Sequence, residues 1–256
     1  MTLRTNGDHH NETPSRIAMP SGRDGAAESE RTADEGGLGV IDMTVPAVVE
    51  SSETVYRGAV FRIDDMTIAL TDRRGGRHTI RRQVMRHAPC VVLLVHDTAT
   101  DRYLLEREYR AGSDLFAYGL PAGLMDGGEE PMAAAMRELA EETGVVPDER
   151  ELKVDRVGAF YSSEGMADEL AHIMVLHLGA WRQEERRFDG DEYVESSWVS
   201  WRDLLATRVT SSNGMIAIQH EALRRLRDAS ARADASYDTH NIPERPRPAE
   251  EGAILE

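Results

Sequence analysis

Between Gly123 and Val145 the chain reads GLMDGGEEPMAAAMRELAEETGV, which sets four glutamates, Glu129, Glu138, Glu141 and Glu142, in one short stretch. Glu138 and Glu142 are four positions apart, so on a helix they lie one turn apart on the same side, with Glu141 flanking them. Carboxylates this close repel and raise one another's pKa. A hard divalent cation relieves that repulsion. Magnesium prefers oxygen donors and keeps several waters, and it is usually held by a few carboxylates together with substrate phosphates. The chemistry these residue types point to is metal-assisted hydrolysis at phosphorus, in which the cation polarises a bridging phosphate and activates a water.

An acidic helix face is ordinarily solvated surface, and Glu141 with Glu142 alone would be read that way. The surrounding residues make the difference. Gly123, five residues, Glu129, seven residues, Arg137-Glu138-Leu139, one residue, Glu141-Glu142, one residue and Gly144-Val145 together match all nine specified positions of the Nudix box without a gap. On those residues the chain resembles the Nudix hydrolases. The resemblance implies an α/β fold, the Nudix α/β/α sandwich with a mixed sheet. It implies magnesium as cofactor, with manganese as a substitute. Glu138 and Glu142 would be the principal metal ligands, Glu141 a further or bridging ligand, and the Ala122 carbonyl a backbone ligand. Arg137 would pair with the box carboxylates and orient them, as suits a planar fork donor. Glu129 would support Arg137 and the helix start, where the helix dipole favours negative charge.

Outside the box, Glu106-Arg107-Glu108-Tyr109-Arg110 followed by YGLPAGLMDGGE resembles the ADP-ribose pyrophosphatase branch, over about residues 54–225. That likeness places Arg110, along with Glu129, among the substrate-binding candidates, with Arg110 against a diphosphate. Downstream, Ser163-Glu164-Gly165-Met166-Ala167-Asp168-Glu169 resembles the loop on which the branch carries its general base, here Glu169. A carboxylate outside the metal cluster can take a proton from water if a loop brings it within reach. Glu169, Glu141 and Arg137 are therefore the catalytic candidates, Glu169 weighed against a plain surface charge. The chain departs from the branch twice: Glu164 replaces its proline, and Gly119 stands where a glutamate two residues before Pro-Ala-Gly is frequent.

The elements that must position these groups are legible in outline. Pro131 suits the first turn of a helix, Gly144 suits its left-handed end, and Met132, Met136, Leu139 and Ala140 form its apolar stripe, which predicts a helix from about residue 130 to 143. CVVLLVHD from Cys90 reads as a buried strand and DRYLLEREYR as the next; VGAFYSS, ELAHIMVLHLGAW and EYVESSWVSW follow as strands. A short helix starts near Trp201, and SSNGMIAIQHEALRRLRD is a final amphipathic helix. Before them, residues 54–87 alternate apolar and polar around Arg-Gly-Gly, which predicts about three antiparallel strands. The expected organisation is a disordered tail over 1–50, a small β subdomain over 51–87, the hydrolase domain over 88–230 and a second disordered tail over 231–256.

Composition narrows the partners. A formal charge of −16 over 256 residues argues against a nucleic-acid or anionic-membrane surface. The single cysteine, Cys90, forms no intrachain disulfide and sits in an apolar run as a core residue. No long apolar run and no apolar leader is seen, so a soluble cytoplasmic protein is expected. The expected substrate is a small nucleotide diphosphate, with ADP-ribose cleaved to AMP and ribose 5-phosphate. Open alternatives are another Nudix substrate (a nucleoside triphosphate, a dinucleoside polyphosphate, a nucleotide sugar) and a module that binds ADP-ribose without cleaving it. Resemblance also implies a homodimer.

Overall fold

The computed structural model describes residues 39–187 and 193–240; of the tails expected over 1–50 and 231–256, residues 1–38 and 241–256 lie outside them. All the described strands and helices lie beyond Ile41.

Three strands come first: β1 (Val48–Arg57), β2 (Arg62–Thr71) and β3 (Arg77–Arg86), in an antiparallel sheet of order β1-β2-β3. The turn between β2 and β3 is the Arg-Gly-Gly stretch. Asp72 accepts from the backbone N–H groups of Arg74 (2.8 Å) and Gly76 (2.7 Å), and Gly75 takes φ +82°, a backbone region that glycine enters without penalty.

The main sheet comes next, built from β4 (Cys90–Asp97), β5 (Arg102–Arg110), β6 (Leu115–Gly119), β7 (Ala122–Leu124), β9 (Leu152–Tyr161), β10 (Leu170–Leu178) and β12 (Glu195–Ser200). Its order is β12-β5-β4-β10-β9; β4 and β10 run parallel, and the other pairs are antiparallel, so the sheet is mixed as expected. A short pair, β8 (Val145–Pro147) with β11 (Trp181–Gln183), stands apart. β4 and β5 pair only at His96–Tyr103 and Asp97–Arg102. Beyond that point they separate. β7 takes the free side of Cys90–Val92, and β6 takes that of Glu106–Arg110. The opening between β4 and β5 is where the cleft forms.

The helices α1 (Pro131–Glu138), α2 (Trp201–Ala206) and α3 (Ser212–His240) cover the two faces of this sheet. Strand alternation sorts the core between them. Val91, Leu93 and Val95 of β4 pack with Leu104, Met174, Leu176 and Leu178 against Ala134, Ala135 and Leu139 of the box helix. Val92 and Leu94 pack with Tyr103, Leu105, Ile173 and Val175 against Leu204, Ala217 and Ile218 of α2 and α3. Each fully buried Leu or Val is worth roughly 1.5–3 kcal/mol over its exposed state, so a strand buried on both faces anchors the fold. The result is the α/β/α sandwich.

Three details differ from the expected pattern. The box helix buries Ala134 and Ala135 rather than Met136 or Ala140, because it lies close over β4 and β7, where small side chains permit the approach. The segment Leu139–Thr143 is not regular α-helix but a π turn that ends at Gly144 with φ +72°. The last helix runs to His240, beyond Ala231, and β1 opens at Val48, before residue 51. Among the described residues, no helix is long and apolar enough to cross a membrane.

Candidate active site

The box stretch crosses the opening between β4 and β5. Pro131 begins α1 without losing a backbone donor, and Gly144 closes the π turn. Gly144 admits no side chain: a Cβ there would lie 2.3 Å from the Glu184 carbonyl oxygen. π turns inserted in α-helices are frequent at functional sites, and this one tucks Leu139 and Thr143 into the core while Glu142, 8% exposed, remains against the cleft.

Arg137 is the hub. Its Nε and Nη2 donate to Glu129 at 3.1 and 2.8 Å, its Nη1 donates to Glu138 at 2.8 Å and to Glu141 at 3.2 Å, and Nη2 reaches the Leu124 carbonyl at 2.9 Å. Only a forked planar cation can serve so many acceptors at once. Glu129 is held below the ordinary carboxylate range by Arg137 and then by the Asp126 N–H, and Arg137 is held firmly protonated by the same pairs, Glu129 first.

Glu142 stands differently. Oε2 accepts the Ala122 N–H at 3.3 Å. Burial, then the charges of Glu106 and Glu138, push its carboxyl up to about 9. Glu138, side chain 12% exposed, lies against Gly123, where a Cβ would fall 1.9 Å from its carboxyl carbon. The structure therefore brings Ala122, Glu129, Arg137, Glu138, Glu141 and Glu142 together. Glu141 is the most open of the carboxylates, its side chain 42% exposed.

Arg110 and Glu169 lie farther along the same cleft, whose volume is about 780 Å³. Arg110 forms an ion pair with Glu108. Glu169 accepts from the Ser162 hydroxyl at 2.5 Å and lies 3.2 Å from Nδ1 of His87; Asn213 of α3 in turn donates to Ser162 at 3.0 Å. The loop leading to Glu169 is tied to the end of β3: Met85 N–H donates to the Met166 carbonyl (2.7 Å), Asp168 N–H to the Met85 carbonyl (3.1 Å), and Arg86 pairs with Asp168 (3.0 Å). Cys90 also lines the cleft, but burial pushes its thiol up to about 12, which suits packing rather than nucleophilic chemistry.

Glu106, which is not among the sequence candidates, is 3% exposed and lines the cleft. The signal lay in phase: Leu104, Glu106 and Glu108 share one strand face, and Leu104 belongs to the core under α1.

A second group could offer metal-ligand atoms. His96, His177 and Glu221 bring three of them within 4.8 Å of one another, on the α3 side of the sheet. Glu221 is already balanced by Arg224 (2.6 and 2.7 Å) and Arg225 (3.2 Å) and also accepts from the Tyr103 hydroxyl. Two guanidinium groups on the one carboxylate disfavour an added cation there, so this cluster reads as an ion-paired network of the core.

The family model for the NUDIX domain matches residues 85–217. An ADP-ribose pyrophosphatase of Bacillus subtilis (strain 168) is 29% identical over 178 residues, covering 68% of this chain and 91% of that protein. A methanol dehydrogenase activator of Bacillus methanolicus is 27% identical over 177 residues, covering 68% and 91%. A crystal structure of an ADP compounds hydrolase aligns with TM-score 0.55 and 22% identity over 70% of this chain and 95% of its own, which supports the fold. With a match spanning more than half of its length and the box folded onto the cleft, the chain belongs to the Nudix family.

Proposed function

We propose that this Nudix hydrolase cleaves a nucleoside diphosphate linked to a second moiety, with ADP-ribose as the substrate giving AMP and ribose 5-phosphate, and with magnesium as the cofactor. The observation that carries the reading is the contrast within the box: Arg137 balances Glu129, Glu138 and Glu141, while Glu142 beside them is buried and pushed up to about 9. The donors are all oxygens, as a hard cation requires, and Gly123 leaves room for the Glu138 carboxylate among them. Nudix hydrolases generally use divalent metals. The likeness to an ADP-ribose pyrophosphatase over 91% of that protein supports the substrate.

Glu138 and Glu142, with Glu141 and the Ala122 carbonyl, would hold the cation. When bound, it supplies positive charge to the bridging phosphate and lowers the pKa of a water. The residues do the rest. Arg137 fixes the carboxylates before substrate arrives, so little reorganisation remains at the moment of reaction. Arg110 meets the diphosphate charge within the cleft. Glu169 accepts the proton of the attacking water; its two oxygens are aimed by Ser162 and His87. The attacking oxygen bonds to phosphorus as the phosphate–phosphate bridge breaks, and the leaving phosphate takes the bridging oxygen.

We further infer a cytoplasmic homodimer. β1 is exposed along its whole length and presents Val48, Val49, Val55 and Tyr56, an apolar strand edge that a second copy would cover. Light scattering on the purified chain tests the dimer.

The function itself is tested by a substrate panel with magnesium, read by mass spectrometry. ADP-ribose should give AMP and ribose 5-phosphate faster than nucleoside triphosphates, dinucleoside polyphosphates or nucleotide sugars react. Binding of ADP-ribose without products, or preferred turnover of another compound, would overturn the substrate assignment.

A further inference from the structure

We propose that Glu106 is a further carboxylate of the cation site, supplied by strand β5 from the wall opposite the helix-borne Glu138 and Glu142. The inference rests on the reading of the box as a divalent-cation site and extends it to a residue outside the box.

Strand phase comes first. Tyr103 and Leu105 belong to the core under α2 and α3, whereas Leu104 belongs to the core under α1. Two residues on from Leu104, Glu106 points to the same side as Leu104 and so toward the box helix. Core positions of a central strand rarely hold an acid, and this one is 3% exposed. It borders the same cleft as Glu138, Glu141 and Glu142.

The neighbouring strand is shaped to match. Gly119 of β6 is the cross-strand partner of Glu106, and paired residues share a face. A Cβ on Gly119 would meet no atom within 4 Å, so the space beside Glu106 is open and continuous with the cleft, which Gly119 also lines. Helix and sheet thus face one another across that space with Glu138 and Glu142 on one side and Glu106 on the other. Acids on both walls give a hard divalent ion oxygen donors from two sides. A divalent ion held from both walls would join α1 to β5 across the opening where β4 and β5 part.

The test uses the full chain stripped of metal, with Mn²⁺ alone as the probe and binding followed by electron paramagnetic resonance of the free ion. Glu106→Gln should weaken Mn²⁺ binding by about tenfold or more, the lower end of what losing even an outer-sphere partner costs. Glu142→Gln is measured alongside. If Glu106→Gln binds Mn²⁺ as the unaltered chain does while Glu142→Gln does not, Glu106 is no part of the site and the box reading stands. If both variants bind as before, the box reading falls as well. Should Glu106→Gln fail to fold, the double variant Glu106→Ala/Gly119→Glu decides: it moves the carboxylate across the ladder to a position with room for it. Mn²⁺ affinity that is lost in folded Glu106→Ala and regained in the double variant supports the proposal, and affinity unchanged in Glu106→Ala overturns it.

Discussion

Gly123 and Glu138 are in contact across the cleft wall, and the contact depends on the glycine having no side chain: a Cβ would sit 1.9 Å from the Glu138 carboxyl carbon and 2.1 Å from Oε1. The obstructed group is the tip of a flexible side chain and not backbone. Gly123→Ala should therefore fold with little loss of thermal stability, yet displace Glu138 from Arg137. Turnover should fall about ten- to a hundredfold, the range seen when a metal-orienting contact is lost. Calorimetric melting and steady-state kinetics on the same preparation check both halves; unchanged turnover would show that the position of Glu138 does not matter.

Glu142 gives the site a pH signature. Its ordinary value is 4.5, and in the fold it is pushed up to about 9, first by burial and then by Glu106 and Glu138. Between those values the folded state holds a proton that the unfolded chain has released, so stability falls as pH rises. The penalty is absent below about 4.5 and levels off above about 9. Metal-free protein should lose melting temperature across this window, and Glu142→Gln should flatten the loss. A cation must displace that proton, so binding at pH 7 should release protons, visible as a dependence of calorimetric heat on the ionisation enthalpy of the buffer. Heats independent of the buffer would remove Glu142 from the cation's donors.

Glu169 is held by Ser162 and His87 rather than by the box. Glu169→Gln should lower kcat by roughly a hundredfold, as for loss of a general base, while Mn²⁺ affinity stays within a few fold. Equal turnover would move the proton acceptor elsewhere in the cleft.

Gly144 takes φ +72° with the Glu184 carbonyl oxygen 2.3 Å from where a Cβ would be. Here the obstacle is backbone. Gly144→Ala should cost about 1–3 kcal/mol, the usual penalty for a strained backbone position, and loosen the π turn that carries Glu142. Chemical denaturation measures the first effect, and a matching loss of metal affinity would report the second.

The box helix, the β4 and β5 strands and the three-stranded N-terminal sheet could be read from the chain because each depends on local pattern: a helix end at Gly144, the run CVVLLVHD and an Arg-Gly-Gly turn. Short strands were not legible. β6 and β7 form only because β4 and β5 separate and leave edges to pair, a fact of tertiary structure that LFAYG and AGL do not carry in their own sequences. The place of Glu106 is hidden for the same reason. EREYR looks like a polar strand end until the phase of Leu104 shows which face the acid takes. The π turn leaves no trace either, since LAEET is an ordinary helical sequence.

The ties from Met85 and Arg86 to Met166 and Asp168 make β3 the near arm of a lever whose far arm is Glu169. Trimming the chain ahead of Ala88 would not be a neutral shortening of a tail: it would remove the partners of Met166 and Asp168, and the loop that leads to Glu169 would loosen even with the box intact.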